Sequence, residues 1–182
     1  MNSTQKPWLS AYPEGVPAEI DTGAYSSVVD LMQESFREYG DRTAFSFLGK
    51  GLSYRELDRL SQVFAAYLQS LGLVFGDRVA IMLPNVLQYP IAVAAVLRAG
   101  FVVVNINPLY TARELEAQLK DSDAKAIVVL ENFGATLQEC LARTPIKHIV
   151  LCAMGDQLGW LKGMLVNHVV RKIKKMVPSF EL

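Results

Sequence analysis

The stretch "LRAGFVVVNINPLYTAREL", Leu97 to Leu115, contains the end of one helix, a strand and the start of a second helix. Its centre, "FVVVNIN", is apolar without alternation, which is typical of a central strand in a parallel sheet covered on both faces. Thr111 and Glu114 have the spacing of a capping box, which marks the start of the next helix. This order of elements predicts an α/β fold.

The segments on either side of this stretch repeat the same alternation. "RVAIMLP" before it and "KAIVVL" and "KHIVLC" after it have the composition of buried strands, and helical segments separate them. The order β-α-β-α-β-α-β runs from Arg78 to Cys152. Right-handed crossovers then require a largely parallel sheet with helices on both faces. Asn85 is expected to cap the helix that runs to Gly100, and Pro90 is expected either to lie in its first turn or to kink it.

Three further elements are predicted before the alternating region. Ser27, with Asp30 three residues later, marks the start of a first helix. Two short β-rich runs around residues 49–51 predict a hairpin. The segment "SYRELDRLSQVFAAYLQSLG" is the clearest helix in the sequence, because Ser53 and Glu56 form a capping box and leucines recur at helical spacing.

The chain divides into three predicted parts. Residues 1–25 are rich in Pro, Gly and Ser and are expected to form an irregular arm, and residues 26–155 form the α/β subdomain. Residues 156–182 are expected to form a basic amphipathic helix and the start of a linker. The apolar face of that helix is predicted to consist of Leu158, Leu161, Leu165, Val169, Ile173 and Met176.

Composition restricts the functional classes. Apolar residues make up 51% and charged residues 20% of the 182 residues, and the formal net charge is zero. A chain without net charge has no long-range attraction to nucleic acid, so nucleic acid is not an expected partner. The N-terminus lacks an apolar signal region, and no run approaches the ~18 apolar residues of a spanning helix. The chain is therefore expected in the cytoplasm, with surplus apolar surface for a partner or a membrane.

Catalytic and metal-binding motifs are missing from the sequence. It contains no G-x-x-x-x-G-K-[ST] or G-x-G-x-x-G phosphate loop and no G-x-S-x-G nucleophile elbow. Cys140 and Cys152 have no metal-type spacing and are expected to be buried, reduced thiols. His148 and His168 are solitary, so no metal site is predicted. The residues alone support an α/β body without a catalytic centre.

Asn105, Asn107 and Tyr110 follow the predicted strand at the centre of the opening stretch. In open α/β sheets, ligands bind outside the carboxyl ends of the strands, so these residues are candidates for a pocket rim. Asparagines after a strand also commonly bond to the backbone of a turn. The favoured interpretation is therefore a scaffold role.

The C-terminal region carries a basic run, "RKIKK", with Arg171, Lys172, Lys174 and Lys175. A basic amphipathic helix of this kind binds anionic membrane surfaces peripherally. The alternative is that the apolar face packs on the protein while the basic side chains are solvated. Packing within the chain is the favoured interpretation, and membrane contact by the four basic residues is the second.

Three motifs resemble the opening motifs of the acyl-adenylate-forming superfamily. They are "LSYRELDRLS", "GDRVAIMLPN" and "LRAGFVVVNINPLYTARELEAQLKDSDAKAIVV". The run "LQYPIAVAAVLRAGFVVVNINPLYTARELEAQL" and the tail "LVNHVVRKIKKMVP" are especially similar to bacterial long-chain fatty-acid–CoA ligases. The resemblance covers almost the whole chain and implies the N-terminal part of the large domain of an adenylate-forming enzyme.

The resemblance implies a two-step reaction. ATP and a long-chain fatty acid give an acyl-adenylate and pyrophosphate, with Mg²⁺ stabilising the developing charge, and coenzyme A then displaces AMP. Family members carry their phosphate loop, adenine-binding segment, ribose-binding Asp and catalytic Lys after the matching region, whereas this sequence ends at Leu182. No catalytic residue is therefore assigned here, and this fragment is expected to bind no cofactor and to be inactive alone.

Two alternatives remain open. The chain could be a free-standing α/β module that binds acyl chains or a membrane, or part of an adenylating ligase for another carboxylic acid. A sheet with an uncovered edge strand and an apolar patch also favours self-association or a homodimer.

Overall fold

The computed structural model describes residues 6–182. The helices and strands are, in chain order, α1 (Val28–Glu38), β1 (Thr43–Phe47), β2 (Lys50–Ser53), α2 (Tyr54–Ser70), β3 (Arg78–Met82), α3 (Gln88–Arg98), β4 (Val102–Asn105), α4 (Ala112–Ser122), β5 (Ala126–Leu130), α5 (Gly134–Leu141), β6 (His148–Cys152) and α6 (Trp160–His168). Short 3₁₀ turns span Pro7–Ala11 and Glu131–Phe133, and a π-helical turn spans Val169–Ile173.

Four strands form one parallel sheet in the order β4-β3-β5-β6. Ile81 of β3 is in register with Asn105 of β4 on one side and with Val128 of β5 on the other. Strand β6 extends the sheet through Val150, which pairs with Val128. The predicted alternation from Arg78 to Cys152, the parallel sheet and the helices on both faces are confirmed.

The prediction that "FVVVNIN" is a central strand is wrong, because β4 lies at one edge of the sheet. Its side chains still contact both helical layers: Val103 packs on one side and Val104 on the other. This two-sided packing accounts for the continuous apolar run. The chain crosses from β4 back over β3 to β5, so β3 and β5 occupy the centre, and Val102 is left 46% exposed.

Each face of the sheet has its own apolar core. On the first face, alternate residues of β3 and β5, including Ile81 and Val128, pack against α2 and α3. On the second face the intervening residues, including Met82 and Val129, pack against α4 and α5. Burial of both faces explains why β3 and β5 contain mainly apolar residues.

Helix α1 and the hairpin form a third apolar cluster outside α2 and α3. Phe36 of α1, Leu52 of β2 and Ile91 of α3 are buried in it. The hairpin is confirmed: β1 and β2 pair antiparallel. Its turn lies at Leu48 and Gly49, where φ is 46° and 74°. Both residues thus occupy the left-handed region that a tight hairpin turn requires.

The predicted helix starts are confirmed at three positions. Ser27 accepts a hydrogen bond from the backbone of Asp30, and complete capping boxes join Ser53 to Glu56 and Thr111 to Glu114. These bonds satisfy backbone N–H groups that a helix leaves unpaired in its first turn.

The expected cap at Asn85 is wrong, because α3 begins at Gln88 and has no side-chain cap. Val86 and Leu87 are buried, so the chain enters the core before the helix starts. Burying these two side chains outweighs the cap that Asn85 would supply. Pro90 is the third residue of α3 and lies in its first turn, as predicted.

We expect the Ser53–Glu56 box to make stability depend on pH. Hydrogen bonds from the backbone and hydroxyl of Ser53 lower the pKa of Glu56 below its ordinary 4.5. Its contribution is therefore fully present above about pH 4.5 and is lost as the pH falls through the lowered folded pKa. Urea unfolding should show Glu56→Gln less stable than the parent chain at pH 7 and closer to it at pH 3.5.

The control is Ser53→Ala, which removes the partner and should cost about 1 kcal/mol at pH 7. A destabilisation by Glu56→Gln that is equal at both pH values would contradict the charge-dependent cap.

Candidate functional site

The carboxyl ends of the four parallel strands meet at one side of the sheet. We call this side the strand-end rim and define it as residues 83–85, 105–107, 130–132 and 152–154. Open α/β sheets bind ligands at this side. Asn105 and Asn107 lie in the rim, and Tyr110 follows it before α4 begins.

Asn105 joins two helices across the rim. Its Oδ1 accepts a hydrogen bond of 3.1 Å from the Tyr89 hydroxyl on α3. Its backbone oxygen accepts one of 3.0 Å from Nε2 of Gln118 on α4. Helices from both faces of the sheet are thus bonded to the end of one strand.

Asn107 and Tyr110 shape the turn that leads into α4. Asn107 Oδ1 accepts a hydrogen bond of 3.0 Å from the backbone N–H of Leu109, which is the side-chain turn that asparagine favours. The backbone N–H of Tyr110 donates to the oxygen of Asn107 at 3.1 Å, and its ring packs on the second apolar core. All three predicted residues have partners within the chain, and a ligand-rim role for them stays a prediction.

Gln88 and Glu131 are polar side chains of this region that the sequence analysis missed. Gln88 Nε2 donates to the backbone oxygen of Ala153 at 2.7 Å and joins α3 to the end of β6. Glu131 directly follows the strand "KAIVVL", which is the same signal that identified Asn105. Gln88 carries no such signal, because its role depends on a contact 65 residues away.

Glu131 holds the segment after α6. Its side chain is 7% exposed, and both carboxylate oxygens accept from Arg171 Nε at 2.9 Å. This pairing raises the pKa of Arg171 above its ordinary value. Arg171 is thus paired within the chain although its side chain is 47% exposed, and membrane contact by Arg171 stays a prediction.

Helix α6 docks through glycines. A side chain added at Gly155 or Gly163 would collide with the backbone of the other glycine. Asn167 Oδ1 also accepts from the backbone N–H of Gly155 at 2.7 Å. The two backbones cross in direct contact, and Val170 in the turn after α6 is buried.

This docking corrects the apolar face predicted by the helical wheel. Leu161 and Leu165 are 69% and 63% exposed, and Ile173 is 63% exposed. Only Leu158 of that predicted face is buried. The face with the glycines packs on the protein because only it permits so close an approach. The favoured packing of the leucine face within the chain is thus wrong for this structure.

The two thiols are poor nucleophiles. Burial raises the pKa of Cys140. Burial and then the nearby charge of Asp156 raise the pKa of Cys152 to about 12. Both thiols are therefore protonated at neutral pH. The expectation of burial is confirmed for Cys140, whereas Cys152 is half-buried.

Clusters of metal ligands, glycine-rich phosphate loops and helices able to span a membrane are absent from residues 6–182. Within residues 6–182, no group of three or more His, Cys, Asp and Glu side chains is placed to hold a metal ion. The sequence also lacks a glycine-rich phosphate loop. The same range contains no helix that is both long and apolar enough to cross a membrane.

A parallel sheet covered by helices on both faces places the chain in the class of α/β domains. A profile described as AMP-binding enzyme matches residues 32–178. The chain belongs to the family of AMP-binding enzymes, as the three motifs indicated.

Curated relatives match almost the whole chain. Long-chain-fatty-acid–CoA ligases from Escherichia coli O157:H7 and Yersinia pestis are 51% and 52% identical over 179 residues, or 98% of this chain. The chain spans 32% of the length of these relatives. A Bacillus subtilis protein of the same name is 36% identical over 89% of the chain.

Solved structures share the fold. A long-chain-fatty-acid-CoA ligase from Archaeoglobus fulgidus superposes with a TM-score of 0.63 and 23% identity, covering 76% of this chain and 29% of that one. An anthranilate CoA ligase in complex with anthranoyl-AMP gives a TM-score of 0.67 and 21% identity, covering 70% of this chain and 25% of that one.

Proposed function

We propose that these residues form the N-terminal scaffold of an AMP-forming long-chain-fatty-acid–CoA ligase. The observation that carries the proposal is the 51–52% identity over 98% of the chain to proteins of that name. The proposed overall reaction converts a fatty acid, ATP and coenzyme A into acyl-CoA, AMP and pyrophosphate, with Mg²⁺. The chain spans only 32% of these relatives, so the segments that bind the nucleotide are assigned to the remainder of such a protein.

The proposed role of this chain is to hold the strand-end rim in place. Asn105 bonds α3 and α4 to the end of β4, and Gln88 bonds α3 to the end of β6. These bonds reduce the freedom of the rim before any ligand arrives, which lowers the entropic cost of binding. We also propose that the chain divides into an arm (1–25), a subdomain (26–155) and a linking segment (156–182).

Exchange of labelled pyrophosphate into ATP tests this function. A longer protein that contains this chain and the rest of the relatives' length should catalyse exchange that depends on palmitate, because adenylate formation is reversible. The chain of 182 residues alone should catalyse none, since it spans only 32% of the length of these relatives. Exchange by the purified chain alone would contradict the scaffold role.

The same assay identifies the acid. Oxalate–CoA ligase from Arabidopsis thaliana is 34% identical over 65% of the chain, so short acids belong in the panel. We expect palmitate to support exchange far better than oxalate or benzoate. A preference for either of the latter would favour the ligase for another acid.

We further propose that the protein is cytoplasmic and that the segment 160–176 contacts anionic membrane surfaces peripherally. Trp160 is 80% exposed beside the exposed Leu161. Lys172, Lys174 and Lys175 are exposed and form no ion pair within residues 6–182. Exposed apolar and cationic side chains in one segment are what a peripheral membrane contact requires.

Sedimentation with anionic vesicles tests the contact. Each lysine near an anionic surface contributes about 1 kcal/mol, so replacing Lys172, Lys174 and Lys175 by Gln should weaken binding about a hundredfold at low salt. The matched control replaces Arg59, Arg113 and Lys147 by Gln. These residues are exposed outside the segment 160–176, so this variant should retain most binding.

Light scattering without vesicles separates vesicle binding from self-association of the chain. The exposed edge strand β4 favours such self-association. Equal sedimentation of both triple variants would remove the membrane role.

A further inference from the structure

A polar hollow of about 370 Å³ lies between α1, α2 and α3, on the side of these helices away from the sheet. We call it the helix hollow. Residues one helical turn apart on α1 and on α2 present their polar side chains to it. Its polar lining consists of Gln33, Arg37, Arg55, Asp58, Gln62 and Arg98.

The helix hollow carries a surplus of positive charge. Arg98 pairs with Asp58 at 2.5 Å, and Arg55 pairs at 2.9 Å with Asp41, which is not part of the lining. Arg37 has no carboxylate partner in the part of the chain that the structure describes. Three guanidinium groups thus line one hollow, and one of them is uncompensated.

Hydrogen-bond donors in the helix hollow are also in surplus. A guanidinium group has five N–H donors. Arg98 donates one to Asp58, and Arg55 donates two to Asp41. The amides of two glutamines add further donors, whereas Asp58 is the single acidic side chain of the lining.

The base of the hollow is partly shielded from water. The side chain of Arg98 is 17% exposed, and its guanidinium lies 5.6 Å from the centre of the buried Phe36 ring. Charges interact more strongly where water is partly excluded. An anion that contacts Arg98 would therefore interact with it more strongly than with a solvated arginine, while the unpaired Arg37 is exposed at the hollow.

We propose that the helix hollow binds a small phosphate-bearing molecule. Guanidinium groups recognise phosphate oxygens through paired hydrogen bonds, and the volume falls within the range of small-ligand pockets. The site is separate from the strand-end rim, so it does not depend on the proposed ligase activity. Free phosphate and a phosphate ester share this chemistry.

Titration of the chain of 182 residues with inorganic phosphate tests the site. The Nε–H resonances of Arg37, Arg55 and Arg98 should shift together and saturate as phosphate is added. Sodium chloride at equal ionic strength is the control and should not produce these shifts. Arg37→Gln should weaken binding about tenfold, because it removes one charged donor group. Arg59→Gln makes the same charge change at an exposed position on α2 outside the lining and should leave binding unchanged.

Glycerol 3-phosphate distinguishes the two sources of phosphate. Tighter binding than inorganic phosphate assigns the hollow to a phosphate ester, and equal binding assigns it to the free ion. Shifts that do not saturate, or equal weakening by Arg37→Gln and Arg59→Gln, would overturn the proposal. The resonance titration of the unmodified chain keeps the test valid if a variant fails to fold.

Discussion

The structure depends on the burial of β3 and β5 between two helical layers. Parallel strands at the centre of a sheet need apolar cover on both faces, and here α2 and α3 cover one face while α4 and α5 cover the other. Burial of apolar area is the main favourable contribution to folding. Because the four strands run parallel, all four carboxyl ends lie on one side of the sheet.

That placement connects the fold to its proposed role. Asn105 and Asn107 at the strand-end rim bond to helices and loops of the same chain, as Asn105 does with Tyr89 and Gln118. Glu131 and Arg171 extend this network to the segment after α6. The rim is thus held by its own hydrogen bonds, which suits a scaffold for segments that handle a nucleotide elsewhere in a longer protein.

Local signals in the sequence predicted the elements well, because capping boxes and apolar runs act within a few residues. The boxes at Ser53 and Thr111 are examples. Strand order was harder to predict. An apolar run indicates that helices cover both faces of a strand, as for Val103 and Val104 of β4, but it does not distinguish an edge strand from a central one. The packed face of α6 was missed because a contact between two glycines, Gly155 and Gly163, selects it, and a hydrophobic wheel gives glycine no weight.

Hydrogen exchange of backbone amides measures the central burial most directly. Amides of β3 and β5 should exchange slowest, through global unfolding, while amides of β1, β2 and α6 should exchange earlier through local opening. The contradicting result is exchange of β3 and β5 as fast as that of the hairpin. It would mean that the doubly covered sheet is not the cooperative core of this chain.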